Sequence, residues 1–118
     1  MKKNKIVKKI TKKELKRLEK KETNRKDKEW KLKIKERDDN KCQICGRVDI
    51  INCHHIFPRE IRKLRWVEDN GICLCPKHHK FSLKISAHRN PLSFILFLIK
   101  NKKEQLNRLI KTYNLLNK

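Results

Sequence analysis

Apolar positions are unevenly spread along the chain, and the elements they predict fall into three stretches. Ile6, Ile10, Leu15 and Leu18 have loose helical spacing, but Glu19 to Glu29 contains no large apolar residue. That stretch reads either as a solvated helix or as disordered chain. Trp30 and Ile34 then return at i and i+4, which predicts a packed helix from about Asp27 to Asp38. Val48 to Phe57 is rich in β-branched and apolar residues and reads as a strand that Pro58 ends. Arg59 to Asn70 reads as a loop, and Asn70-Gly71 as a two-residue turn leading into a second strand over Ile72 to Cys75. Pro76 suits the first turn of a short helix carrying His78 and His79.

In the last stretch, Asn90 is the expected N-cap and Pro91 the first residue of a helix. Leu92 to Ile99 is apolar nearly all round and is expected to be buried. Leu106, Leu109, Ile110 and Tyr113 fall at i, i+3, i+4 and i+7, an amphipathic helix whose apolar face packs on the domain or on a second copy of the chain, a homodimer. The expected organisation is a basic arm over 1–26, a core over 27–89 and a helical extension over 90–118.

Charge changes the picture. A net +21 with 40% charged residues exceeds what solubility requires, so a polyanion, first of all nucleic acid, is the natural partner. A low-GC coding sequence would enrich lysine, asparagine and isoleucine as well. The basic N-terminus is followed by no apolar segment of signal-peptide length, and Phe94 to Ile99 is too short to span a bilayer. The chain is expected to be cytoplasmic.

Five cysteines, most of them close to histidines, favour metal over disulfides. Cys42 and Cys45 form one Cys-x-x-Cys knuckle, and Cys75 with His78 a Cys-x-x-His knuckle, together a closed set of four ligands for a structural zinc. Cys53 and Cys73 fall inside the predicted strands and read as inert thiols, with Cys73 an alternative to Cys75 because both lie on one strand face. His54-His55 and His78-His79 each abut a cysteine pattern. Adjacent strand residues point to opposite faces, so His54 and His55 share one site only if the chain bends there.

The order His54-His55-Ile56-Phe57-Pro58, Asn70-Gly71, Leu74-Cys75-Pro76-Lys77-His78-His79 resembles the HNH endonuclease family, from roughly Trp30 to His88. It departs from the commonest pattern at His78, where relatives carry a second cysteine. The resemblance implies an α+β fold: a small ββα-metal core with the two-knuckle zinc site, flanked by an N-terminal lysine-rich helix and two C-terminal helices. It implies hydrolysis of DNA phosphodiesters to 5′-phosphate and 3′-hydroxyl ends. His55 is the implied general base and His54 and His79 the implied ligands of a catalytic divalent cation, Mg²⁺ or another. Asn70 either approaches that ion or orients the loop, and His88 is a further candidate ligand. Arg59, Arg62, Lys63 and Arg65 lie between the halves of the site and are the candidates for holding the DNA backbone. Relatives occur as phage, restriction and homing nucleases. A zinc-ribbon nucleic-acid-binding module without catalysis is the alternative.

Overall fold

A computed structural model describes residues 9–117; residues 1–8 of the expected basic arm, Ile6 among them, and Lys118 lie outside the described residues. Helix α1 runs from Lys12 to Arg37. Thr11 caps it by accepting the Glu14 N–H at 3.1 Å. The apolar-free stretch is therefore helical: lysine, arginine and glutamate are good helix formers, and Arg25 pairs with both Glu22 and Glu29 along one face. Only Trp30 and Ile34 of α1 are buried.

Strands β1 (Asn52–His55) and β2 (Gly71–Leu74) pair antiparallel with His54 opposite Ile72 and Cys53 opposite Cys73. A two-stranded sheet this short is not stable alone, and both faces are covered. Trp30, Ile34 and Cys73 form a core against α1. On the other face Ile72, Leu74, Cys75 and Cys42 pack with Ala87, Phe94 and Leu98. The predicted first strand was longer; Val48 and Ile50 stay exposed because β2 offers no partner beyond Leu74.

The end of α1 is fastened to β2 through a buried carboxylate. Asp38 accepts the Cys73 N–H at 2.9 Å and a forked pair of bonds from Arg37, whose guanidinium also donates to the Glu68 and Gly71 carbonyls. A buried charge with this many partners is compensated.

Gly71 is not part of a hairpin turn. Its backbone is extended and it opens β2; the strands are instead joined by the long loop 56–70. The glycine is required by close approach, since a Cβ there would lie 2.5 Å from the Trp30 ring and 2.8 Å from Ile34. Gly71→Ala is expected to lower stability by about 1–3 kcal/mol through forced repacking, read as a drop in thermal midpoint; an unchanged midpoint would contradict this packing.

Helices α2 (Pro91–Asn101) and α3 (Lys103–Leu116) follow, with Asn90 accepting the Ser93 N–H as N-cap. The prediction that α2 is buried nearly all round fails: only Phe94 and Leu98 are buried, while Leu92 is 69% and Leu96 58% exposed. The four-residue strands offer surface for a single helix stripe. Helix α3 packs back on the body. Leu109 is fully buried, Gln105 donates to the Asp69 and Gly71 carbonyls, and Tyr113 stacks on Phe57 with ring centroids 4.8 Å apart. Among the described residues no helix is long and apolar enough to cross a membrane.

Candidate metal centre and catalytic cleft

The first knuckle is a tight turn. Cys42 N–H donates to the Arg47 carbonyl, Gly46 N–H to the Cys42 carbonyl, and Gly46 adopts a φ of 80° that glycine tolerates freely. Gln43 N–H donates to the Cys73 carbonyl at 3.0 Å, which docks the knuckle on β2. The second knuckle forms where the chain leaves β2 at Cys75 and enters the helical turn Lys77–Phe81.

These two turns bring Cys42, Cys45, Cys75 and His78 together, with their ligand atoms within 4.8 Å of one another. Cys45 Sγ lies 3.8 Å from Cys75 Sγ, and His78 Nδ1 lies 3.4 Å from Cys75 Sγ and 3.7 Å from Cys42 Sγ. A tetrahedron with zinc–sulfur bonds of about 2.3 Å and zinc–nitrogen bonds of about 2.0 Å has edges of roughly 3.8 and 3.5 Å. The donor set and its spacing therefore fit zinc. Burial opposes the Cys42 thiolate, but the N–H groups of Cys75, Cys45 and Ile44 outweigh it and hold its pKa below the ordinary thiol value, as a ligand requires. Cys73 is not in this set: its thiol faces α1 and donates to the Ile34 carbonyl at 3.7 Å, while the Cys53 thiol donates to the Lys31 carbonyl.

His54 and His55 occupy opposite faces of β1, as strand geometry dictates. His54 joins His79 and His88 in a second cluster, also with ligand atoms within 4.8 Å of one another. The ring centroids of His54 lie 5.1 Å from His79 and 5.0 Å from His88, and the Nε2 atoms of His79 and His88 are 3.1 Å apart. His88 arrives there because the chain doubles back: Ala87 N–H donates to the His78 carbonyl and His88 N–H to the His79 carbonyl. Side chains of Ser82, Ser86 and Asn90 bond to backbone within that return loop and hold it.

Burial, followed by the neighbouring imidazoles, pushes His54 down to about 3, and burial with His88 and Lys80 pushes His79 down to about 4. The rings are thus neutral near pH 7, with lone pairs available in a confined space. With His88 beside them, these imidazoles are a donor set for a divalent transition metal. His79 Nδ1 is buried without a hydrogen-bond partner.

On the other face, His55 stacks on Trp30 with ring centroids 4.0 Å apart and an interplanar angle of 6°. Its Nε2 lies 3.0 Å from the Arg65 carbonyl, which can only accept. Nε2 therefore carries the proton and Nδ1 the lone pair. Burial lowers the His55 pKa, although the bond to the Arg65 carbonyl works against that shift. The carbonyl is itself fixed: the Arg65 guanidinium forms a forked pair with Asp27 at 2.9 and 2.7 Å, and Asp27 also accepts the Trp66 indole N–H. The Arg65 hydrogen bonds hold the Asp27 carboxyl below its usual range despite its partial burial.

An open cleft at the exposed edge of β1 is lined by both His54 and His55, together with His79, His88, Arg59 and Lys80. Asn70 is not in either cluster. Fully buried, it accepts the Phe57 N–H at 2.6 Å and donates to the Phe57 and Leu64 carbonyls, so it closes loop 56–70 and sets the strand entry below His55. Of the four basic residues assigned to DNA, Arg59 lines the cleft. Arg65 is committed to Asp27, Arg62 lies over Trp66, and Lys63 donates to the Leu116 carbonyl. Trp30 packs directly on His55 and Asp27 fixes Arg65 behind it; in the sequence the i, i+4 pairing of Trp30 with Ile34 marks the first as core and nothing marks the second.

Residues 42–81 match the family model described as HNH endonuclease. That span holds both knuckles, both strands and three of the four histidines that line the cleft, His54, His55 and His79, leaving His88 and α1 outside it. No curated protein matches the chain, and no solved structure does.

Proposed function

We propose, from the match of residues 42–81 to the HNH endonuclease family model, that the protein is a metal-dependent endonuclease that hydrolyses DNA phosphodiester bonds in the cleft at the edge of β1. The observation that carries the reading is the division of labour across one strand: His54 turns into a three-imidazole set while His55, one residue on, is held as a neutral base by the Arg65 carbonyl.

The strand, the zinc knuckles and the helical turn correspond in this reading to the ββα-metal core. Cys42, Cys45, Cys75 and His78 would hold a zinc ion that fastens the turn carrying His79. His54, His79 and His88 would hold the catalytic divalent cation. When bound, such an ion supplies positive charge against the phosphate and the departing oxygen. His55 Nδ1 takes a proton from water as the water oxygen bonds to phosphorus; the P–O3′ bond breaks and the 3′ oxygen leaves with a proton from solvent. Trp30 and Arg65 keep the His55 ring oriented, Asn70 keeps the loop closed, and Arg59 and Lys80 line the path of the backbone.

The three nitrogen donors favour Mn²⁺, Co²⁺ or Ni²⁺ over Mg²⁺, which takes oxygen ligands. Nicking of supercoiled plasmid is therefore expected to be faster with Mn²⁺ or Ni²⁺ than with Mg²⁺ at equal concentration. His88→Ala should raise the metal concentration for half-maximal nicking by at least about tenfold, since even outer partners of metal ligands contribute that much. Equal metal dependence in His88→Ala and the parent would remove His88 from the ligand set. DNA binding with no cleavage under any divalent metal would instead leave a zinc-ribbon binding module.

A further inference from the structure

The solvated half of α1 carries an ordered charge pattern. At 100° per residue, Lys13, Arg17, Lys21, Lys28, Lys31 and Lys35 fall within about 80° of arc, with Asn24 between them and no carboxylate. Glu14, Glu22, Glu29 and Glu36 lie on the adjoining arc, where Arg25 bridges Glu22 to Glu29. These four acids are thus kept to one side of the stripe, Glu19 lies on the far side of the helix, and Asp27 on the stripe's other side is committed to Arg65. Among the described residues none of the six stripe cations pairs with a carboxylate. Five of the six are exposed and Lys35 is half-buried.

The stripe has a direction. At its C-terminal end Lys31 and Lys35 line a groove with Asn52, Cys53, His79 and Lys80, beside the cleft that holds His54 and His55. At its N-terminal end residues 12–22 are exposed on every side, away from the body. From Lys13 to Lys35 the helix rises about 33 Å, close to the roughly 34–36 Å of one turn of duplex DNA.

We propose that this stripe of α1 is a docking surface for the phosphate backbone of duplex DNA, running from the cleft outward and engaging about one turn of duplex to one side of it. An uncompensated row of flexible cations matches a regular row of phosphates and reads no bases. The nuclease reading supplies only the meaning of the cleft at the end of the row, so binding and cleavage are measured separately.

The test is the salt dependence of binding to a labelled 20-base-pair duplex by fluorescence anisotropy, with the full-length zinc-loaded protein and no added divalent metal. Each lost phosphate contact lowers the slope of log K against log salt by about 0.9. The variant Lys21→Gln, Lys28→Gln, Lys31→Gln, Lys35→Gln is expected to lower it by about 3–4. Glutamine has nearly the helix propensity of lysine, so α1 should persist. A control of equal charge loss, Lys33→Gln, Lys100→Gln, Lys103→Gln, Lys111→Gln, should change the slope by less than about 1. The double variant Lys21→Gln, Lys28→Gln touches only exposed positions away from the cores and should lower it by about 2 even if the quadruple variant is destabilised. An unchanged slope in the double variant, or an equal drop in the control, overturns the proposal. Plasmid nicking scored in parallel separates the two readings: stripe-dependent binding without cleavage removes the nuclease alone, and cleavage with stripe-independent binding removes the docking surface alone.

Discussion

Replacing His55 with alanine is expected to lower plasmid nicking by about 10²–10⁴-fold, the contribution typical of a positioned general base, while zinc content, fold and DNA affinity are kept. His55 belongs to neither metal set. Its contacts are the Trp30 ring and the Arg65 carbonyl, and that carbonyl sits at a partly exposed site where water can replace the imidazole. Loss of the ring thus removes the cleft imidazole that belongs to neither metal set, without removing a metal donor. Added metal should not restore the rate, in contrast with loss of His54, His79 or His88, where high metal concentration restores part of it. Nicking by His55→Ala at the parental rate would sink the assignment, and rescue by metal would move His55 into the ligand set.

What could be read from the sequence follows the range of the interactions. Cys42–Cys45 and Cys75–His78 are legible because each knuckle is a turn of four residues whose chemistry is written locally. The cap at Asn90-Pro91 and the packed part of α1 at Trp30 and Ile34 are legible for the same reason. His88 is only a weak candidate in the sequence: it lies nine residues past His79, and its arrival depends on the 78–79 backbone pairing with 87–88 across a loop held by serine and asparagine side chains. The commitment of Arg65 to Asp27, 38 residues earlier, is equally invisible in a local run of basic residues. Gly71 shows how a local signal misleads. Asn-Gly is a turn pair by propensity, yet here Asn70 is a loop clamp and Gly71 makes room for Trp30. The exposed apolar side of α2 has a similar origin, since periodicity counts apolar residues and does not measure the small sheet available to cover them.

Cys45 offers the sharpest test of the zinc assignment because its side chain does so little else. It is exposed, and its only side-chain partner beyond the knuckle is the Cys75 sulfur. As a plain surface change, Cys45→Ser would fall within about 0.5 kcal/mol of neutral. As loss of a zinc ligand it acts on binding energy of about 10–16 kcal/mol in small zinc domains, comparable to the roughly 5–15 kcal/mol that holds a domain together. The knuckles join segments thirty residues apart in sequence, over a core too small to replace that link. Cys45→Ser is therefore expected to lose zinc by elemental analysis and its cooperative thermal transition together. The same logic divides the two neighbouring histidines. His78 Nδ1 faces the Cys42 and Cys75 sulfurs, so His78→Ala should lower zinc content and thermal stability in step. His79 faces His54 and His88, so His79→Ala should keep zinc and lose cleavage, with partial recovery at high divalent metal. If His79→Ala lost the zinc while His78→Ala kept it and lost only cleavage, the two roles would be exchanged, and the helical turn would present its imidazoles in the opposite order.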